Sequence, residues 1–148
     1  MNKLFDYLLL IFLIIVMLIA SSCSIEDELV SLLPPPTLEL NGRLPIDDNG
    51  YYHLELNQNT HQTIHRITGV IPDYEFYQEP MKVEWSSNLT WYLQNEWEVT
   101  TANPSSYVID GKVSNVIGPV QTMVGDTLIL VGTIREHLTT DTIKIVLE

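Results

Sequence analysis

Short stretches of alternating apolar and polar residues follow one another through residues 37–148 and constrain the fold more than any other feature. Successive side chains of a β-strand point to opposite faces, so a period of two predicts strands with one buried face. The continuous apolar run 127–134 predicts one further strand. Ile64, Arg66, Thr68 and Val70 share one parity of another segment, opposite His65 and Ile67. The clearest alternating apolar positions are Tyr52, Leu54 and Leu56; Met81, Val83 and Trp85; Leu89, Trp91 and Leu93; and Ile143, Ile145 and Leu147.

Turn-forming residues separate these stretches. The signals are Asp47-Asp48-Asn49-Gly50, Ser86-Ser87-Asn88, Asn103-Pro104-Ser105-Ser106, Asp110-Gly111, Gly118-Pro119 and Gly125-Asp126. About seven short strands in roughly 110 residues predict an all-β fold, an antiparallel β-sandwich of immunoglobulin-like type. An eight-stranded barrel is the alternative, although the chain is short for one.

The composition limits the classes of protein to which the chain can belong. Its 148 residues suit one domain with appendages and are too few for two domains of ordinary size. Nineteen acidic against seven basic residues give a net charge of −12, so no cationic surplus is present to neutralise nucleic-acid phosphates. An aromatic content of 9% argues against a wholly disordered acidic chain. We therefore expect a folded acidic domain that does not bind nucleic acid.

The N-terminus carries an uncharged apolar run over residues 7–20. This run is shorter than the roughly 20 residues that span a bilayer, and its length is typical of the apolar region of a secretion signal. Lys3 supplies positive charge ahead of it, and small residues at 20–22 precede Cys23. The sequence therefore predicts a signal peptide over 1–22. Two alternatives are an ordinary signal peptide and an uncleaved single-span anchor. In both, Cys23 would have no special role.

The segment Ala20-Ser21-Ser22-Cys23 resembles a bacterial lipobox, with Ala20 where Leu is more usual. The resemblance implies that the Cys23 thiol receives a diacylglycerol, that the signal is removed before it, and that the new amine is acylated. Two or three acyl chains, at about 0.8 kcal/mol per buried methylene, anchor a protein stably to a membrane. Because Cys23 is the only cysteine, an intrachain disulfide is excluded, and the domain must be held together by its core.

Residues 23–36 are predicted to be the lipidated cysteine and an acidic, proline-rich tether. Three prolines at 34–36 favour an extended, semi-rigid conformation. The acidic cluster 26–28 resembles the surface-export signal of Bacteroidota lipoproteins, which implies exposure on the cell surface; a generic acidic spacer is the alternative. In a further interpretation one helical turn packs against the domain, formed by Leu29, Val30, Leu32 and Leu33.

The last two predicted strands repeat a short pattern. Asp126-Thr127-Leu128-Ile129-Leu130-Val131 is echoed by Asp141-Thr142-Ile143-Lys144-Ile145-Val146. These segments broadly resemble the closing strands of immunoglobulin-like and PKD-like modules of bacterial envelope proteins. The resemblance implies a sandwich domain over 37–148.

Aromatic residues cluster between residues 85 and 97. Trp85 and Trp91 share the parity of the apolar positions around them, which predicts that both belong to the core. Tyr92 and Trp97 are left as the candidate ligand-binding residues, because exposed aromatic rings stack on sugars or anchor a protein partner.

Motifs for metal binding or catalysis are weak. His61 and His65 are four residues apart, but on a strand that spacing separates them by about 13 Å, too far to share a metal. The segment 47–50 lacks the distant bidentate glutamate of a calcium loop and is interpreted as a hairpin turn. The GxSxG, SxxK, HExxH, GxGxxG and P-loop patterns are missing. We therefore expect the protein to lack enzymatic activity and to bind no cofactor and no metal ion.

The sequence thus predicts a lipid-anchored protein of the cell envelope, attached to the outer membrane through Cys23 and acting as a non-catalytic binding or structural module. Its expected partners are the membrane and an envelope protein or glycan. The alternative is a carbohydrate- or peptide-binding accessory lipoprotein of a surface nutrient-uptake complex, with Tyr92 and Trp97 in the contact.

Overall fold

The computed structural model describes residues 11–13, 15, 34–72, 74–77, 79–93 and 97–148, without the side chain of Trp97. The chain divides into two units, Met1–Pro34 and Pro35–Glu148. In the first unit, residues 11–13 and 15 are helical and exposed. Within the described ranges, no helix has the length and apolar character needed to cross a bilayer. Cys23, the acidic cluster 26–28 and the apolar residues at 29–33 lie outside the described residues.

In the described part of the second unit, ten strands and three short 3₁₀ helices follow one another. The strands are β1 (Glu39–Asn41), β2 (Tyr52–Leu54), β3 (His65–Val70), β4 (Lys82–Ser87), β5 (Trp91–Leu93), β6 (Trp97–Val99), β7 (Ser105–Tyr107), β8 (Lys112–Ile117), β9 (Thr127–Ile134) and β10 (Thr139–Leu147). The 3₁₀ helices span Tyr74–Phe76, Gln121–Met123 and Arg135–His137.

The strands form two main sheets and a separate hairpin. The smaller sheet is antiparallel with the order β1-β3-β8, and the larger has the order β2-β10-β9-β4-β7. Every pair in the larger sheet is antiparallel except β2 with β10, which is parallel. Strands β5 and β6 form the hairpin. The predicted all-β sandwich is therefore confirmed.

Both sheets supply alternate residues to one apolar core. Along β9 every second side chain is buried, and β10 alternates in the same way over its second half. Side chains that are fully enclosed include Ile67 from the smaller sheet and Leu128, Leu130, Ile145 and Leu147 from the larger. Burying a side chain of this kind stabilises a fold by about 1.5–3 kcal/mol, so this shared layer holds the sheets together.

The number of strands differs from the prediction of about seven. Strands β1, β6 and β7, which no predicted segment covered, have three residues each, too few for alternation to be measured reliably in the sequence. The equally short β2 and β5 were predicted, because the alternation at 52–56 and 89–93 extends beyond them. Two predicted turns were also partly wrong. Strand β4 continues through Ser86 and Ser87, and strand β7 takes in Ser105 and Ser106.

The inward face of β3 carries Ile67 and Gly69, whereas Ile64 and Val70 are exposed. A Cβ atom at Gly69 would lie 2.9 Å from Val113 Cγ1 and 3.0 Å from a methyl of Leu40. The neighbouring strands fill the space that a side chain at 69 would occupy. The buried face of β3 therefore contains few apolar side chains, and its burial is difficult to predict from the sequence.

The sandwich has two distinct ends. At one of them, which we call the entry end, β1 begins at Glu39, β3 ends at Val70 and β8 begins at Lys112. The turn Asp110-Gly111 lies there and joins β7 of the larger sheet to β8 of the smaller. Its two residues have φ of 50° and 70°, as a two-residue type I′ hairpin turn requires. The opposite end, which we call the far end, carries the β5–β6 hairpin.

Candidate functional site

The β5–β6 hairpin at the far end carries both residues predicted to bind a ligand. In its register Tyr92 pairs with Glu98, and Trp97 pairs with Leu93. The Tyr92 side chain is 53% exposed. Tyr92 and Trp97 therefore occupy different rungs of the hairpin. Because the Trp97 side chain is outside the description, a joint binding surface of these two residues stays a prediction.

The base of the hairpin is attached closely to the sandwich. The Gln62 side-chain amide donates a 2.8 Å hydrogen bond to the carbonyl of Tyr92. Trp91 is 2% exposed, and a Cβ atom at Gly118 would lie 3.2 Å from its indole nitrogen. A side chain at 118 would therefore crowd both the Gln62 amide and the Trp91 indole. These contacts hold Tyr92 at a fixed place on the surface.

Both tryptophans that were predicted to be core residues are buried. Trp85 is 7% exposed, and its indole N–H donates a 3.0 Å hydrogen bond to Ser106 Oγ. The indole N–H of Trp91 has no hydrogen-bond partner among the described residues. The core prediction is confirmed, so neither ring is available to a ligand.

Two adjoining grooves lie at the entry end, with volumes of about 490 and 510 Å³. They share Val70 and Lys112 in their linings. The first groove also contains Tyr74, Glu75 and Asp110, and the second contains Arg43, Tyr107, Ile109 and Ser114. These residues come from separate segments of the chain, and sequence reasoning missed the grooves. The one available signal was Asp110-Gly111, whose tight turn brings β7 and β8 together.

Apolar side chains stand exposed at the entry end, and three of them, Val70, Tyr107 and Ile109, line the second groove. Tyr107 is 68% and Ile109 is 70% exposed, and Lys82 Nζ lies 5.9 Å from the centre of the Tyr107 ring. Leu138, in the loop from β9 to β10, is also exposed and has a left-handed backbone with φ of 53°. That backbone conformation costs a residue with a side chain about 1–2 kcal/mol. The entry end thus combines an apolar surface with a strained loop.

A group of ionisable side chains fastens the β1–β2 turn to the end of β10. His53 Nδ1 lies 2.7 Å from Glu148 Oε1, and His53 Nε2 lies 3.5 Å from Asp47 Oδ2. The hydrogen bond with Glu148 is the main cause of a raised pKa at His53. The backbone N–H of Tyr51 donates to Asp47 over 2.8 Å and is the main cause of a lowered pKa at that carboxyl.

The same turn confirms the hairpin interpretation of residues 47–50. Asp47 Oδ1 also accepts the N–H of Asn49, and Gly50 has a φ of 82°. Isolated pairing of Ile46 with Tyr52 closes the hairpin. Among the residues that the structure describes, no group of three His, Cys, Asp or Glu side chains is arranged to hold a metal ion. The contacts of His53 with Asp47 and Glu148 link this turn to the end of β10.

The two histidines at spacing four have separate surroundings. His61 is exposed in the loop before β3. His65 Nε2 donates a 2.6 Å hydrogen bond to the Gly42 carbonyl, which ties β3 to the chain just after β1. Its ring is thus engaged in holding the smaller sheet to its neighbouring loop.

Comparison of the chain with protein-family models, with curated proteins and with solved structures finds no match. The fold and the surfaces described above define an all-β sandwich with an exposed tyrosine on a hairpin at one end and an apolar, grooved surface at the other.

Proposed function

We propose that the protein is a lipid-anchored, non-catalytic binding or structural module of the bacterial cell envelope, attached to the outer membrane by acyl chains on Cys23. The observation that carries this proposal is the position of the only cysteine, directly after an apolar run and three small residues. Lipidation requires a thiol at that place. A cysteine without a role could stand anywhere in the chain, whereas the single cysteine stands at the position that lipidation requires.

The construction of the domain supports a role without catalysis. The group of ionisable side chains around His53 is engaged in ion pairs and backbone hydrogen bonds that fasten one turn to one strand. Catalytic acids and bases need access to a bound substrate. Here Glu148 is hydrogen-bonded to His53 Nδ1, and the Asp47 carboxylate lies 3.5 Å from Nε2, so this group is suited to stabilising the fold.

The anchor can be tested by expressing the full chain in a bacterial host that is supplied with labelled palmitate. The wild-type protein should incorporate the label and enter the detergent phase on phase separation. Cys23→Ala should lose the label and become mislocalised, because the thioether to the lipid cannot form. Ser22→Ala is the matched control, since it keeps a small residue beside the cysteine and should retain both properties. Unchanged detergent partitioning of Cys23→Ala would contradict the proposal.

A second candidate function is binding of carbohydrate or peptide as an accessory of a surface nutrient-uptake complex. The exposure of Tyr92 on a hairpin held by Gln62 favours it, because a fixed aromatic ring at the surface can stack on a sugar or anchor a side chain.

This second function predicts that Tyr92→Ala and Trp97→Ala reduce the capture of glycans or envelope proteins by immobilised full-length protein. Tyr107→Ala is the control, since this tyrosine is comparably exposed but lies at the entry end. Equal capture by all four proteins would exclude the hairpin as the binding surface.

A further inference from the structure

We propose that the entry end of the sandwich is a membrane-contact surface: its exposed apolar side chains rest in the headgroup layer of the bilayer that carries the lipid anchor. This inference rests on the proposed function, because the anchor on Cys23 is what brings the domain to the bilayer. It assigns a role to the grooved surface and gives the domain an orientation. The far end, with Tyr92, then faces away from the membrane.

Exposed apolar side chains are concentrated at this end. The part of the chain described between residues 35 and 148 exposes nine large hydrophobic side chains, and five of them lie here. A single exposed hydrophobic side chain is normal, whereas a group on one surface marks a contact with a partner or a membrane. The five residues are Val70, Phe76, Tyr107, Ile109 and Leu138.

These residues belong to the same end because the local contacts place them there. Val70, Tyr107 and Ile109 line one groove. The start of β4 pairs with the end of β9. Phe76 lies in the 3₁₀ helix just before β4, and Leu138 lies just after β9, so both are at this end. An edge-to-face contact of Tyr77 with His137, whose ring centres are 6.0 Å apart, connects these two loops.

The chain enters the domain at this same end. Pro36 is fully buried just before β1, and Glu39 pairs with Val70. The entry point is therefore fixed beside the grooves. Twelve residues separate Cys23 from Pro36, and even fully extended they span only about 45 Å. A tether of that length keeps the entry end close to the bilayer, where a contact too weak to bind a free protein becomes effective.

The charges at this end fit a zwitterionic lipid surface. Lys112 lines both grooves, with Glu75 and Asp110 beside it in the first and Arg43 in the second. A headgroup with one phosphate and one ammonium can pair with such a mixed set, whereas the net charge of −12 opposes contact with anionic lipids. Tyrosine rings and lysine stems are suited to this depth because each has an apolar body and a polar tip.

The proposal can be tested with the lipidated full-length protein in phosphatidylcholine vesicles. Because lipidation blocks Cys23, the variant Ile109→Cys has a single free thiol, which can carry a fluorescent label. Val124→Cys is the matched control: Val124 is another exposed branched side chain, and it lies in the loop before β9, at the far end. A nitroxide placed on the lipid near the headgroup should quench the label at 109 about fivefold or more above the label at 124.

A third label at Leu138→Cys tests the surface as a whole. Replacing Tyr107→Ser and Ile109→Ser together should lower its quenching towards the value at 124, because the apolar contact is lost. Equal quenching at 109 and 124, or quenching at neither, would overturn the proposal. It would also be overturned if the label at 109 responded only to added envelope proteins and not to protein-free vesicles.

The anchor has its own readout in the same experiment. Wild-type protein that accepts the thiol label would show a free Cys23 and contradict the proposed function, whatever the ratio of quenching at 109 and 124. Thermal melts of the labelled variants confirm that each is folded.

Discussion

The backbone N–H of Leu40 donates a 2.6 Å hydrogen bond to the carboxylate of Asp141. Leu40 lies in β1, at the edge of the smaller sheet, and Asp141 lies in β10 of the larger sheet. The second oxygen of the same carboxylate accepts the N–H of Thr142 over 2.7 Å. One side chain thus satisfies the edge of β1 and connects the two sheets.

We predict that Asp141→Ala lowers the free energy of unfolding by about 1–3 kcal/mol, because the Leu40 N–H loses its acceptor. Denaturant melts measure the loss. Asp126→Ala is the control, since Asp126 begins the equivalent Asp-Thr-aliphatic segment before β9 but has an exposed side chain. Its effect should stay within about 0.5 kcal/mol. Equal losses in both variants would show that the link between the sheets contributes nothing.

The buried tryptophans should dominate the stability of the core. We predict that Trp85→Ala and Trp91→Ala each cost about 3–5 kcal/mol, a large share of the roughly 5–15 kcal/mol that keeps a domain folded. Tyr92→Ala should cost less than about 1 kcal/mol, because the side chain is exposed. Trp97→Ala is expected to be milder than either buried tryptophan. Small, equal losses in all four denaturant melts would contradict the burial of Trp85 and Trp91.

Substitutions at two glycines with positive φ can distinguish the cost of backbone strain from the cost of steric crowding. At Gly125 a Cβ atom would have no neighbour within 4 Å, so Gly125→Ala should cost only the backbone strain, about 1–2 kcal/mol. At Gly111 a Cβ atom would lie 3.0 Å from the Tyr74 Cβ and 3.2 Å from the Ile71 carbonyl oxygen. Gly111→Ala should therefore cost at least about 1 kcal/mol more in a denaturant melt. Equal costs would mean that the Asp110-Gly111 turn adapts without penalty.

The ion pairs of His53 predict a dependence of stability on pH. A raised pKa means that the folded state favours the charged imidazole, chiefly through Glu148. This contribution is complete below the unfolded pKa of about 6.5 and is lost as the pH rises through the folded-state pKa. The lowered pKa of Asp47 acts in the opposite direction: its contribution is present above about 3.8 and is lost as the pH falls through the folded-state pKa.

We therefore expect His53→Gln to destabilise the protein more at about pH 5.5 than at about pH 9, as measured by thermal melts. His61→Gln is the control, because it removes an exposed histidine for which the described structure shows no ion pair. A loss at His53 that is the same at both pH values would show that its packing matters and its charge does not.

Much of the fold could be predicted from the sequence because half-buried strands leave a direct trace in it. Trp85 lies between two polar residues, Ile145 and Leu147 share one parity of their segment, and all three are buried as expected. The apolar run 127–134 coincides with β9. The three-residue strands β1, β6 and β7 left no such trace. The inward face of β3 was also hidden, because Gly69 is buried without contributing an apolar side chain.

The surfaces were harder to predict than the strands. Tyr92 was identified because it follows a buried tryptophan on the same strand and must therefore point to the opposite, exposed face. This is a local property of the sequence. The grooves at the entry end join Val70, Tyr107 and Lys112, whose proximity depends on the pairing of β3 with β8 and on the turn at 110–111. Such proximity is a property of the topology, which alternation does not encode.

The parallel pairing of β2 with β10 has a consequence for the order of folding. Leu54 pairs with Leu147, so β2 can pair with its neighbour only when β10, more than 90 residues further along the chain, has been made. Closing a loop of that length costs entropy before any contact repays it, which makes folding slow. We therefore expect β2 to join the larger sheet late, after β10 has paired with β9 over eight residue pairs.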